Sequence, residues 1–325
     1  MLTFLSLLPT VILMLLAQWG RKVHALAILL YILLALINAL LLLFGLIFLA
    51  LPTSIPWPAG NGVSFSPADL HFMGRTLIVT ALGATLFLLP PVRKFVGFFT
   101  HMRAEDPVHV YALVLAVYAI GITLSQRPLL SLLENVEGFA LTPAELVGQA
   151  AALILLAFTG VGLGIHRSLR ATLQRLGLAW PGRRELISAL IATVILLFLQ
   201  GLISAIWMKL SPQSMEAVEK LSETLLGPFF TPLGAIMIGL IAGISEELVF
   251  RGALQPRLGL LLTSAVFAFV HVQYAMTLAL LIVFLLGLVL GILRNRVNTT
   301  AAILTHTLYN TGVVLLAIYA PQMGP

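Results

Sequence analysis

Apolar stretches of about twenty residues recur along almost the whole chain, beginning with LTFLSLLPTVILMLLAQW at positions 2–19. A helix needs roughly 20 apolar residues to cross a hydrocarbon core ~30 Å thick, so this repeat length points to membrane spans. In lipid every backbone polar group must be paired within the protein, which leaves helices or closed barrels. No alternating strand pattern occurs, and that argues against a barrel. Composition agrees: the chain is 60% hydrophobic and only 9% charged over 325 residues, where a soluble domain carries about a quarter charged residues. Cysteine is absent, which removes disulfides, thiol catalysis and cysteine-ligated metals.

The pattern predicts an all-α, polytopic transmembrane bundle of about ten spans, near 2–19, 24–51, 73–92, 108–125, 144–165, 185–207, 231–252, 258–273, 276–293 and 298–319. The first run has no positive residues before it, and Arg21 and Lys22 follow it. That charge order suits a retained span with its N-terminus outside better than a cleaved signal peptide. One set of alternating loops gathers most of the cations, among them Arg21, Arg93, Arg103, Arg167, Arg175, Arg257 and Arg294. The other set carries Arg127, Lys209 and Lys220 with acids such as Asp69, Glu134, Glu137 and Glu216. By the positive-inside rule the basic loops are cytoplasmic, and an even span count puts both termini outside. The net charge of +6 is then an orientation signal and calls for no nucleic-acid partner.

The basic stretch HRSLRATLQRLGLAWPGRRE divides the chain. Residues 1–166 form an N-terminal five-span region of unassigned role, 167–184 an amphipathic linker along the cytoplasmic surface, and 185–325 a C-terminal membrane domain. The stretch KLSPQSMEAVEKLSETLLGPF predicts a short amphipathic helix on the outer side, from Ser211-Pro212 to Gly227-Pro228.

Ionisable side chains interrupt apolar helices at three places in the C-terminal domain: Glu246, Glu247 and Arg251 in EELVFR, His271 in FAFVH, and His306 with Asn310 in HTLYN. A charge at membrane depth costs on the order of 3 kcal/mol by insertion scales, so such residues usually face an interior cavity. Glu247 and Arg251 share one helical face at i, i+4 and pair; Glu246, rotated by about 100°, is the freer carboxylate. Phe267 lies one turn before His271 and walls the pocket. Counted from the turn near Pro256, Glu246 lies roughly 15 Å deep, and His306 comes out similar. A shielded glutamate can serve as general base to a water, while His and Asn donors can stabilise an oxyanion. Plainer readings stand beside this one: a Glu–Arg pair also fixes helix packing, and a single histidine is often a hydrogen-bonded core residue. Gly287 and Gly291 form a GxxxG-like face that suits close packing. The remaining histidines, including His24, His109 and His166, read as solvated or interfacial.

EELVFR, FAFVH and HTLYN, in this order and at these spacings, resemble the EExxxR, FxxxH and HxxxN motifs of the CPBP family, the CAAX endopeptidases and bacteriocin-processing (Abi) proteins. The resemblance covers roughly residues 175–320 and implies an intramembrane endopeptidase acting on a peptide or protein substrate at the membrane, in a prokaryotic plasma membrane. It implies that Glu246 activates the water with help from His271, that His306 and Asn310 form the oxyanion hole, and that Glu247 and Arg251 support the site. No cofactor is expected; the alternative is Zn²⁺ on Glu246, His271 and His306. The competing functions are a transporter, with Glu246 and the histidines as proton or cation sites, and a non-enzymatic scaffold or immunity protein that keeps the pocket for packing.

Overall fold

The computed structural model describes residues 2–56, 64–133, 140–271, 274 and 277–319. The N-terminal helices are α1 (Leu2–Gly20), α2 (His24–Ala50), α3 (Pro67–Leu86), α4 (Pro90–Phe99), α5 (Pro107–Ser125), α6 (Arg127–Leu133) and α7 (Pro143–Gly160). A two-residue antiparallel ladder, β1 (Ile55–Pro56) with β2 (Ser64–Phe65), closes the α2–α3 connection. The C-terminal helices are α8 (Leu169–Leu176), α9 (Arg183–Leu210), α10 (Pro212–Leu226), α11 (Pro232–Glu247), α12 (Gln255–Leu258), α13 (Leu260–Phe269), α14 (Leu278–Arg296) and α15 (Thr299–Tyr319). The chain is an all-α membrane bundle. Its surface is apolar where a soluble protein's is polar: along α9, Leu190, Ile191, Val194 and Phe198 are all exposed and face lipid.

Among the described residues the expected ten spans reduce to seven helices long and apolar enough to cross, or eight if α3 and α4 count as one bent span. Two causes can be named. The run predicted at 73–92 meets Pro90 and Pro91, and there the chain turns by 84° between α3 and α4. The run predicted at 258–273 is α13, ten residues ending at Phe269, about 15 Å and half a crossing. Leu8–Gly20 in α1 is likewise a shorter apolar segment. The helix expected between Ser211-Pro212 and Gly227-Pro228 is α10, and the basic linker contains α8, closed by Gly177 in the left-handed conformation at φ 74°. Of the loop acids, Glu134 and Glu137 lie outside the described residues.

Among the described residues two larger apolar cores hold the bundle, beside a small one of Met102, Leu113 and Leu258. One joins α1, α2, α3 and α5 through Met14, Leu30, Leu34, Tyr111 and Val114. The other gathers Leu248, Phe250, Phe267, Leu286 and Leu290 with Ala157 and Val161 at the end of α7, so α7 packs directly against the segment that follows Glu247.

Candidate functional site

Thr231 starts α11 by accepting from the Gly234 N–H at 3.0 Å, and Pro232 occupies the first turn, where its missing N–H is harmless. The helix runs to Glu247 and then widens into a π-helical segment, Leu248–Leu254, before α12. Pro256 accounts for the change. It has no N–H for the Gly252 carbonyl four residues back, and its ring would collide with that carbonyl. Arg175 of α8 serves the displaced oxygens instead, donating to Gly252 O at 2.8 Å and Ala253 O at 3.3 Å. Arg294 of α14 donates to the Arg251 carbonyl at 3.2 Å. Single π turns of this kind occur often at functional sites.

Glu247 and Arg251 are wholly buried, with Arg251 Nε 3.0 Å from Glu247 Oε2. The contact is close but misaligned for a hydrogen bond, and the guanidinium nitrogens make no other among the described residues. Arg251 instead lies over the Phe267 ring, 4.9 Å from its centroid. The second oxygen of Glu247 is 3.0 Å from His306 Nδ1. A carboxylate thus bridges an arginine on its own helical segment and a histidine on α15.

That bridge needs α11 and α15 to approach closely. Gly239 and Gly243 make it possible: a Cβ on Gly239 would sit 2.6 Å from the Thr307 carbonyl, and one on Gly243 3.0 Å from that of Ile303. This face escaped the sequence reading, which singled out Gly287 and Gly291. Those two pack as well, Gly287 against Ser264 and Phe267 and Gly291 against Leu260 and Gln255.

The chain reverses at Gly259, φ 81°, into α13, which delivers Phe267 and then His271 in a turn just past the helix. The sequence reading had His271 inside a longer span. His271 Nδ1 lies 2.6 Å from the Phe267 carbonyl, an acceptor only, so Nδ1 carries the proton. In the neutral ring Nε2 then holds the lone pair, and it faces Glu246 Oε2 at 3.7 Å. Phe267 is the hub of the cluster. Its ring meets Phe250 at 5.0 Å, His271 at 4.8 Å and His306 at 5.9 Å between centroids. Asn310 stands one turn beyond His306, half-buried and without a hydrogen bond among the described residues.

The two pairs differ in access. The side chains of Glu246 and His271 are 22% and 18% exposed, those of Glu247 and His306 0% and 3%. Among the described residues no three His, Asp or Glu side chains are grouped to hold a metal: His306 is turned to Glu247 while His271 faces Glu246. Of the other histidines, His109 is buried rather than interfacial and accepts the Arg103 N–H at 2.8 Å.

Residues 228–312 match the family model described as type II CAAX prenyl endopeptidase Rce1-like. This is the family that the three motifs resemble, and the matched segment contains all of them. Comparison with curated proteins and with solved structures gives no match.

Proposed function

We propose that this multi-pass membrane protein, through its Rce1-like segment at residues 228–312, hydrolyses peptide bonds with a water activated by Glu246. The observation that carries the reading is the more exposed pair: Glu246 Oε2, a buried oxygen with no hydrogen-bond partner among the described residues, stands 3.7 Å from His271 Nε2. Both atoms are acceptors, since the proton of His271 is committed to the Phe267 carbonyl at 2.6 Å. A water at about 2.8 Å from each donates one hydrogen to each and keeps its lone pairs for a carbonyl carbon. As the tetrahedral intermediate forms, Glu246 takes the water's proton and passes it to the leaving amine.

The closed pair supplies the other half of the reaction. His306 donates Nδ1–H to Glu247, so it can donate to an oxyanion from Nε2 only as the imidazolium, whose charge Glu247 balances. The Asn310 amide adds a neutral donor one turn away. Arg251 keeps Glu247 ionised and Phe267 keeps both imidazoles in place. Zn²⁺ on Glu246, His271 and His306 is the second reading: His306 could ligate through Nε2 with its Nδ1–H still on Glu247, and the chelator arm of the test decides between the two.

Residues 185–325 are then the catalytic membrane domain, 167–184 the linker, and 1–166 a membrane region packed against it through α7. The basic loops lie in the cytoplasm of a prokaryotic cell and both termini outside. The test is cleavage of a peptide library by purified protein, wild type against Glu246→Ala and His306→Ala, with and without chelator. Equal turnover in all three proteins would sink the assignment, and loss of turnover with chelator, restored by Zn²⁺, would favour the metal route.

A further inference from the structure

A cavity of about 1070 Å³ opens at the basic end of the bundle and shares no residue with the Glu246–His271 site. Its walls come from the turn after α1, from α2, from α4 with the loop after it, from the α7–α8 connection and from α12. Five guanidinium groups line it, those of Arg21, Arg93, Arg103, Arg167 and Arg257, against two carboxylates, Glu105 and Asp106. Asp106 is already engaged: Arg21 holds it through Nε at 2.9 Å and Nη2 at 2.7 Å, and it caps α5 by accepting the Val108 N–H at 3.0 Å. Arg167 is turned to the Val161 carbonyl. No ion pair among the described residues involves Arg93, Arg103 or Arg257.

Arg93 is the most telling of these. It is only 8% exposed, its Nε has no hydrogen-bond partner among the described residues, and its guanidinium lies 5.6 Å from the centre of the Tyr31 ring. A buried cation without an anion is unfavourable. The helix that carries it, α4, leaves α3 at 84° and exposes Phe95, Phe98 and Phe99 by 67%, 83% and 68%. A helix so bent from its neighbour and so apolar on its outer side suits the bilayer surface, with the phenylalanines toward the acyl boundary and Arg93 turned inward, which would set the cavity mouth at headgroup level.

We propose that this cavity binds the phosphate of an anionic phospholipid, held by Arg93, Arg103 and Arg257. Guanidinium forks match phosphate oxygens in charge and geometry. The volume, about 1070 Å³, lies just above the roughly 300–1,000 Å³ of ligand sites and leaves room for a headgroup with its glycerol. Free phosphate offers the same contacts but no acyl chain for the phenylalanine rim. A zwitterionic headgroup brings its own cation toward three arginines.

The test is thermal unfolding of the purified full-length protein in detergent, with phosphatidylglycerol, phosphatidylcholine or inorganic phosphate added. Phosphatidylglycerol is expected to raise the wild-type Tm on the order of 5 °C, and the other two to leave it near the lipid-free value. Arg103→Gln and Arg257→Gln, both at less buried positions than Arg93, are expected to lose at least half of that rise while keeping a near-wild-type lipid-free Tm. Arg93→Gln should lose most of it; if that variant does not fold, the other two decide. Equal rises with both lipids, or a full rise in both variants, would overturn the proposal. A rise with inorganic phosphate equal to that with phosphatidylglycerol would overturn the lipid assignment and leave a soluble-anion site.

Discussion

His306 and Glu247 meet at 3.0 Å with side chains almost fully buried, whereas His271 and Glu246 stand 3.7 Å apart with about a fifth of each side chain exposed. Two adjacent glutamates thus enter two different carboxylate–imidazole pairs, because consecutive helical residues point about 100° apart and find different neighbours. One pair is built into the core and the other is partly exposed.

The difference separates the effects of two isosteric substitutions. Glu246→Gln removes the proposed base while Glu247, the direct partner of Arg251 and His306, stays in place, and is expected to lower kcat by about 10²–10⁴-fold with a smaller change in Tm than Glu247→Gln. Glu247→Gln leaves Arg251 buried without its counter-charge and is expected to destabilise by about 3 kcal/mol or more. Paired turnover and unfolding measurements check this. Loss of stability in Glu246→Gln with none in Glu247→Gln would reverse the two roles.

Asn310 offers a cleaner probe of the oxyanion hole than His306, since it is half-buried and bonded to nothing described. Asn310→Ala is expected to reduce kcat by about 10²-fold while KM and Tm change little, as for a donor used only in the transition state. A rise in KM at unchanged kcat would make Asn310 a substrate-binding residue instead.

How much of this was readable in advance follows from what each feature depends on. Ionisable residues in apolar helices mark themselves, and Glu247–Arg251 depends on spacing within a single helix, so those residues and that pair stood out in the sequence. The Glu247–His306 contact joins positions 59 apart. It depends on the crossing of α11 and α15, which Gly239 and Gly243 permit; two glycines among 26 carry no such label. The π turn escaped because it arises from Pro256 together with Arg175, a residue that reads locally as one more basic loop position. The basic cavity escaped for the same reason, its arginines being scattered over five separate segments. Span counting failed where prolines turned a run at 84° and where the run at 258–273 yields only the ten helical residues Leu260–Phe269.

Arg175 belongs to the site through the backbone it holds. Burial, with Arg257, Arg167 and Arg294 nearby, holds its pKa down to about 10, so it is still charged at neutral pH. Arg175→Ala leaves the Gly252 and Ala253 carbonyls without a donor and is expected to destabilise by about 2 kcal/mol. The EELVFR segment loosens with it, so kcat should fall further than the loss of folded protein explains. Arg175→Lys, which keeps the charge but not the fork, should be intermediate in both. Activity per folded molecule equal to wild type in Arg175→Ala would confine the residue to stability.

Asp106 gives the N-terminal region an acid limit. Burial alone would raise its pKa, but the Arg21 hydrogen bond, the His109 and Arg21 charges and the Val108 N–H outweigh this and hold it below its ordinary value of 3.8. A folded pKa below the unfolded one means that the stabilisation is fully present above 3.8 and is lost as pH falls through the lower, folded value. Unfolding midpoints measured from neutral pH down to roughly pH 3 should therefore stay level for this contribution until the ordinary carboxylate range and then decline. Asp106→Asn removes the anionic partner of Arg21, so it should lower the neutral-pH midpoint and flatten that acid decline. An acid limb of unchanged slope in Asp106→Asn would place the acid sensitivity in other groups, such as the buried His109.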